Sequence, residues 1–190
     1  MYAQNATKYK LLKLLRVTSY ANTKALSLAD AKLHLNILDT SFDDLISAYI
    51  TSAHQFLYNE TSILVDGTAV GYLESLDDFI IDVRDVSTVV IKYYDANNTL
   101  QTWDSSNYIV TDNIVEITGT APTLYDRDLP VQVTITTTTQ TNPMVVQALR
   151  MIMGDLFEMR QSSVQGNISI KELSRTTAWQ LSLISKRIEV

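Results

Sequence analysis

At 190 residues, 46% hydrophobic and 19% charged, with a mean hydropathy of +0.02, the chain is long enough for one ordinary core or for one domain carrying a small appendage. This composition excludes disorder and membrane spanning: the longest apolar run, Val86 to Ile91, is broken by Ser87 and Thr88 and falls far short of the ~20 residues a bilayer requires. With no cysteine and two histidines, His34 and His54, there is no disulfide framework and no thiolate site, and a zinc centre or a serine-histidine-acid triad has almost nothing to be built from.

The charge is unevenly spread. Residues 1–24 hold five basic residues and no acid, residues 25–149 hold four basic residues against 17 acids, and residues 150–190 hold six against four. Basic ends on an acidic body suit contact between a terminus and an acidic surface, such as a neighbouring copy of the chain. The plainer reading is an acidic protein with a solvated basic tail. Leu11, Leu12, Leu14 and Leu15 are interrupted by Lys13 and closed by Arg16, so no signal-peptide core forms and the chain is expected to act where it is made.

Ser27 before Leu28-Ala29-Asp30 reads as a helix start, the hydroxyl capping a free N–H with an acid in the first turn, and a helix over 28–35 follows. Thr40 or Ser41 offers a second cap. Phe42, Leu45, Ile46, Tyr49, Ile50, Ala53, Phe56 and Leu57 then recur at the spacing of one helical face, which predicts an amphipathic helix over 42–60. From Ile63 the pattern changes. Val86 to Tyr94 is rich in β-branched and aromatic residues, Asp95-Ala96-Asn97-Asn98 supplies turn chemistry, and Leu100 to Trp103 returns as the second strand of a hairpin. Tyr108–Thr111, Ile114–Ile117 and Val131–Thr137 complete a small antiparallel β module within 63–139. Asn142 as cap and Pro143 at the first helical position open a last helix over 143–160, striped by Met144, Val145, Ala148, Leu149, Met151, Ile152, Leu156 and Met159.

Candidate chemistry is sparse. Asp77, Asp78, Asp82 and Asp85 form the densest acidic cluster, but their spacing lacks the glycine and the closing glutamate of a calcium loop, and a solvated strand edge is the reading they support. His34 and His54 have no nucleophile nearby in sequence. Met144, Met151 and Met159 are expected in the core, while Met153 lies off that face and is the better contact residue. No glycine-rich phosphate loop is present, and the aromatics are not interleaved with basic residues as on a nucleic-acid platform. No catalytic residue, metal site or cofactor is expected.

Ser27-Leu28-Ala29-Asp30-Ala31-Lys32-Leu33-His34-Leu35 resembles the opening helix of the tailed-bacteriophage head-to-tail connector family, also called head-completion or adaptor proteins. The likeness continues through Asp39 to Ala53, where an acid-rich turn enters a long helix ending near Thr61. It resumes at the hairpin and tyrosine-isoleucine-valine strand of Val86 to Val110, and at Pro143 to Arg160, where Phe157, Glu158 and Arg160 close the stripe; Leu181 to Arg187 is similar to the short terminal motif. The order and spacing of these motifs carry the resemblance more than any single one. The chain departs from the pattern before about Leu15 and in the length of Gln161 to Thr177.

The resemblance implies an α+β protein: a helical bundle of two N-terminal helices and a long C-terminal helix, with an inserted antiparallel β module and an extended C-terminal tail. The expected organisation is an N-terminal extension (1–26), a connector core (27–160) and an attachment tail (161–190). It implies a structural virion protein without catalysis, a ring of typically twelve copies beneath the portal protein that extends the DNA channel and meets a tail or stopper protein, assembled in the host cytoplasm and without a membrane partner. DNA passes through without specific binding, and acidic helix faces, with Asp39, Asp43 and Asp44 as the channel-facing candidates, repel phosphate rather than hold it. The tail lacks an amphipathic partner within the chain and carries large apolar residues, so Lys171, Arg175, Trp179, Leu181, Ile184, Lys186 and Arg187 are the expected portal contacts. The competing readings are a stopper or tail-completion ring and, in a different class, a small cytoplasmic enzyme or ligand-binding domain, which would need a concave site with convergent polar groups.

Overall fold

The computed structural model describes residues 9–20, 25–137 and 142–158. The chain divides into two units, one of residues 1–19 and 67–138 and the other of 20–66 and 139–190. It is an α+β fold with three helices and two sheets among the described residues.

The first unit is built of strands. These are β1 (Lys10–Leu11), β2 (Lys13–Tyr20), β3 (Gly67–Leu73), β4 (Phe79–Ile80), β5 (Val86–Tyr94), β6 (Leu100–Thr102), β7 (Tyr108–Thr111), β8 (Ile114–Ile117) and β9 (Val131–Thr137). They form a five-stranded sheet in the order β2-β3-β9-β5-β6 and a four-stranded sheet in the order β1-β4-β8-β7. Strand β9 is central: Val131, Val133 and Ile135 are fully buried while Gln132, Thr134 and Thr136 alternate with them at half exposure, the pattern of a sheet covered on one face. It pairs antiparallel with β3 and with β5. The predicted hairpin is present as β5–β6. Its turn is set by the Asp95 carboxylate, which accepts the N–H groups of Asn97 and Thr99 at 2.9 and 3.0 Å, with Asn98 in the left-handed region. The two sheets are tied by Tyr108 on β7, whose hydroxyl donates to the Val89 carbonyl on β5 at 2.9 Å and whose ring stacks on Trp103.

The β module extends beyond the sequence expectation in three ways. Lys10 to Tyr20, expected within an extension outside the core, supply an edge strand to each sheet, and Leu12 is buried against Gly71, where an added Cβ would lie 3.2 Å from the leucine. Gly67–Leu73 and Phe79–Ile80 are strands not foreseen. One pairing, β1 with β4, is parallel, whereas β3–β9, β4–β8, β5–β6, β5–β9 and β7–β8 are antiparallel. These segments are short or carry glycine and lysine, so local propensity is weak and pairing with β9 and β8 decides.

The second unit holds α1 (Leu28–Leu35), α2 (Asp43–Thr61) and α3 (Pro143–Glu158). Ser27 caps α1 by accepting the Asp30 N–H, and Asn36, left-handed at φ 55°, ends it with Ile37 N–H donating back to the Lys32 carbonyl at 2.9 Å, a Schellman closure. The expected hydroxyl cap of α2 does not form. Phe42 is the N-cap without a side-chain bond, and the end is instead held by Lys32 of α1, whose ammonium lies 2.6 Å from Asp43. That pairing sets a cation near one helix C-terminus against an acid at the next N-terminus. At α3 the expectation holds: Asn142 Oδ1 accepts the Met144 N–H at 3.0 Å, and Pro143 is the first helical residue.

The core of this unit joins Ile46, Ile50, Ala53 and Leu57 of α2 with Val145, Ala148, Leu149, Ile152 and Met153 of α3, closed by Ala31 and Leu26. Phe157 sits edge-on to both Phe42 and Tyr49. Here the methionine assignment is corrected: Met153 is fully buried and Met144 is half exposed. The buried positions 145, 148, 149, 152 and 153 form a clean helical stripe rotated about one residue from the expected one, which turns Met144 outward and Met153 inward.

Candidate assembly surfaces

Of the three acids expected to face a channel, the structure treats each differently. Asp39 is exposed and its carboxylate accepts the Ser41 N–H at 2.8 Å; the bonds from Ser41 hold its carboxyl below the usual range, so it is fully charged near neutrality. Asp43 is half-buried and committed to Lys32. Asp44, the next residue on α2, is exposed with no ion-pair partner among the described residues.

The acidic cluster does structural work. Asp77 pairs with Lys10 at 2.6 Å and with Ser75, and these bonds, Lys10 foremost, keep its carboxyl below the usual range. Asp78 accepts the Ile117 N–H at 2.9 Å, while its own carbonyl receives the Lys10 N–H. The cluster thus fastens β1 and β8 beside β4. Among the described residues no group of three histidine or acidic side chains is placed to hold a metal ion. His34 is exposed on α1 beside Gly154 of α3. His54 is buried on α2 with both ring nitrogens unpartnered, as are both carboxylate oxygens of buried Asp66. Burial holds the His54 imidazole neutral, lowering its pKa to about 4 against the opposing charge of Asp66. The residues expected to meet the portal, Lys171, Arg175, Trp179, Leu181, Ile184, Lys186 and Arg187, lie outside the described residues.

Two surfaces that the sequence pattern does not announce stand out. On the helical unit, Leu33 and Leu38 are 81% and 95% exposed, Leu38 immediately before Asp39. On the β unit, an open groove of about 730 Å³ runs between β2 and the outer face of β3 and β9, lined by Leu14, Leu15, Arg16, Val70, Tyr72 and Gln132. Alternation along β3 puts Val70 and Tyr72 on one face, with Gln132 of β9 directly across from Tyr72, while Leu14, Leu15 and Arg16 are consecutive on β2, which departs from regular strand geometry at Leu14 (φ 51°); the lining is visible in sequence only once Lys13–Tyr20 is known to be a strand. The lining is largely apolar, and convergent catalytic groups are lacking in it.

Residues 25–114 match the family model described as Phage gp6-like head-tail connector protein, which bears out the connector resemblance over that stretch; the family is one of structural connectors. No curated protein matches the chain. Among solved structures, the chain is similar to one from a virion of a native gene transfer agent (GTA) particle, with TM-score 0.69, 15% identity, and coverage of 88% of this chain and 94% of that one. It is equally similar to a chain of the neck of an empty GTA particle computed with C6 symmetry, with TM-score 0.68, 15% identity and the same coverage. At that identity the likeness is one of fold.

Proposed function

We propose that the chain forms a ring beneath the portal of a phage-like particle, extends the DNA channel, and presents the surface on which a tail or stopper protein docks. The observation that carries this reading is the fold likeness to a neck chain over nearly the full length of both chains, with the connector pattern at residues 25–114 beside it. A ring of twelve accords with the sixfold symmetry named for that neck. In this reading the three helices are the family's bundle and the strands its inserted module; the ring is a virion part assembled in the host cytoplasm.

The chemistry is that of passage without binding. Lysine and arginine on a channel wall release counterions from DNA and hold it with strongly salt-dependent affinity, whereas carboxylates repel the phosphates. Asp39, Asp43 and Asp44 are the proposed channel acids, Asp44 the one free of structural commitments. Attachment to the portal falls to residues 161–190, through Lys171, Arg175, Lys186 and Arg187 toward acidic groups and Trp179, Leu181 and Ile184 as apolar anchors. Native mass spectrometry of the purified chain, with imaging of particles that carry it, is the test: a closed multimer at the head–tail vertex supports the reading, and a monomer away from that vertex refutes it. Deleting residues 168–190 is expected to leave a folded subunit that no longer binds portal-bearing heads; attachment at normal affinity would move the portal contact to the helices.

A further inference from the structure

Leu33 and Leu38, the most exposed large apolar side chains among the described residues, stand on fixed backbone. The Ile37 N–H is tied back to Lys32, and the Asp39 carboxylate holds the Ser41 N–H, so Leu38 is presented between two closed turns with an ionised carboxylate beside it. A leucine held out in this way carries a standing hydration cost that contact with an apolar surface would remove. The groove on the β unit offers the complementary chemistry: Leu14, Leu15, Val70 and Tyr72 as walls, and Arg16 at its side.

We propose that this groove receives Leu38 and Asp39 of a second copy of the chain, the leucine entering the apolar lining and the carboxylate meeting Arg16. Charge favours the place. With 17 acids against four bases over residues 25–149, most of a second copy's surface repels an acid-bearing knob. Lys10, Lys13 and Lys32 are held in ion pairs, and Arg127 lies over the Tyr94 ring. Arg16 lines the groove, and Lys92 lies on the same sheet, directly across from the lining residue Gln132; neither is in an ion pair among the described residues. Knob and groove belong to different units of one chain, so the contact is heterologous, the kind that propagates into a ring when its rotation closes. The inference rests on the ring reading and names its contact.

Because the chain has no cysteine, thiol crosslinking reports the contact directly. Leu38→Cys and Val70→Cys, made on differently tagged copies and mixed under assembling conditions, are expected to give a crosslinked dimer bearing both tags, and the two substitutions in one chain to give a ladder of multimers. Arg16→Glu, at an exposed site where folding is not at stake, is expected to raise the concentration needed for assembly about tenfold or more, and Asp39→Arg added to it to restore assembly. A multimer that forms without the mixed crosslink, or that assembles unchanged with Arg16→Glu, overturns the contact while leaving the ring. A chain that is monomeric at every concentration removes the ring reading and this contact together.

Discussion

His54 provides the sharpest physical test of the helical unit. Its imidazole is buried on α2 with neither nitrogen bonded, and burial lowers its pKa from 6.5 to about 4. The folded chain therefore keeps the ring neutral at pH values where the unfolded chain takes up a proton, so stability is complete above about pH 6.5 and is lost as pH falls toward about 4. At about 1.4 kcal/mol per pH unit, this site alone removes roughly 2 kcal/mol by pH 5 and about 3 kcal/mol by pH 4. Urea denaturation followed by far-ultraviolet circular dichroism, at several pH values between about 7.5 and 5, measures the loss. Comparison with His54→Leu isolates the imidazole, because the carboxyls of Asp39, Glu74 and Asp77 are held below their usual range and contribute mainly in stronger acid. The variant is expected to lose about 2 kcal/mol less than the parent over that window. Parallel pH profiles for the two proteins would refute the account of His54 as a desolvated neutral ring.

Truncating Ile50 or Leu149, 2% and 0% exposed in one shared core, to alanine should cost about 2–5 kcal/mol each; losses below about 1 kcal/mol at both would mean that α2 and α3 share no core. Gly119→Ala would set a Cβ 2.2 Å from Asn107 Oδ1, displacing a side chain whose backbone carbonyl accepts the N–H groups of both Thr118 and Gly119; a loss of roughly 1–3 kcal/mol in thermal unfolding is expected. Asp78→Ala leaves the Ile117 N–H without its acceptor and should destabilise the β unit by about 1–3 kcal/mol, whereas Asp82→Ala, at an exposed position, should change stability by less than about 0.5 kcal/mol.

Helices α1 and α3 were legible because each carried its own punctuation. Ser27 before Asp30 and Asn142 before Pro143 satisfy orphan N–H groups by local chemistry that needs no tertiary partner, and both caps are in place. Where the cap came from a distance, as with Lys32 reaching Asp43, the hydroxyls of Thr40 and Ser41 pointed to the wrong device. Met153 was misplaced because Met144 and Val145 are both apolar, so a stripe started one residue early still looks continuous. Lys13–Tyr20 was hidden for a different reason. An edge strand with mostly exposed residues has no buried face to impose alternation, and its pairing with Gly67–Leu73 spans about fifty residues that no local window contains. The groove was hidden with it, since four of its lining residues, Leu14, Leu15, Arg16 and Thr18, belong to that strand.

The acids then sort by what else they must do. A carboxylate that braces the fold is poorly placed to line a channel or meet a neighbour, because its charge is already answered within the subunit. Asp43 is answered by Lys32, Asp77 by Lys10 and Glu74 by Lys13. Asp39 caps a turn yet keeps its full charge at the surface, beside the most exposed leucine in the described chain, and Asp44 is exposed without an ion-pair partner among the described residues. Contact with Arg16 of a second copy would take Asp39 out of the channel and leave repulsion of DNA to Asp44. Two substitutions of the same sign then separate the roles. Asp44→Lys should leave assembly unchanged and add a salt-dependent affinity for DNA, steepening the dependence on salt by about one unit of slope for each phosphate neutralised. Asp39→Lys should weaken assembly, with DNA affinity per assembled ring unaltered. If both substitutions changed DNA affinity alike and neither touched assembly, Asp39 would face the channel with Asp44, and the knob would have to bind through its leucines alone.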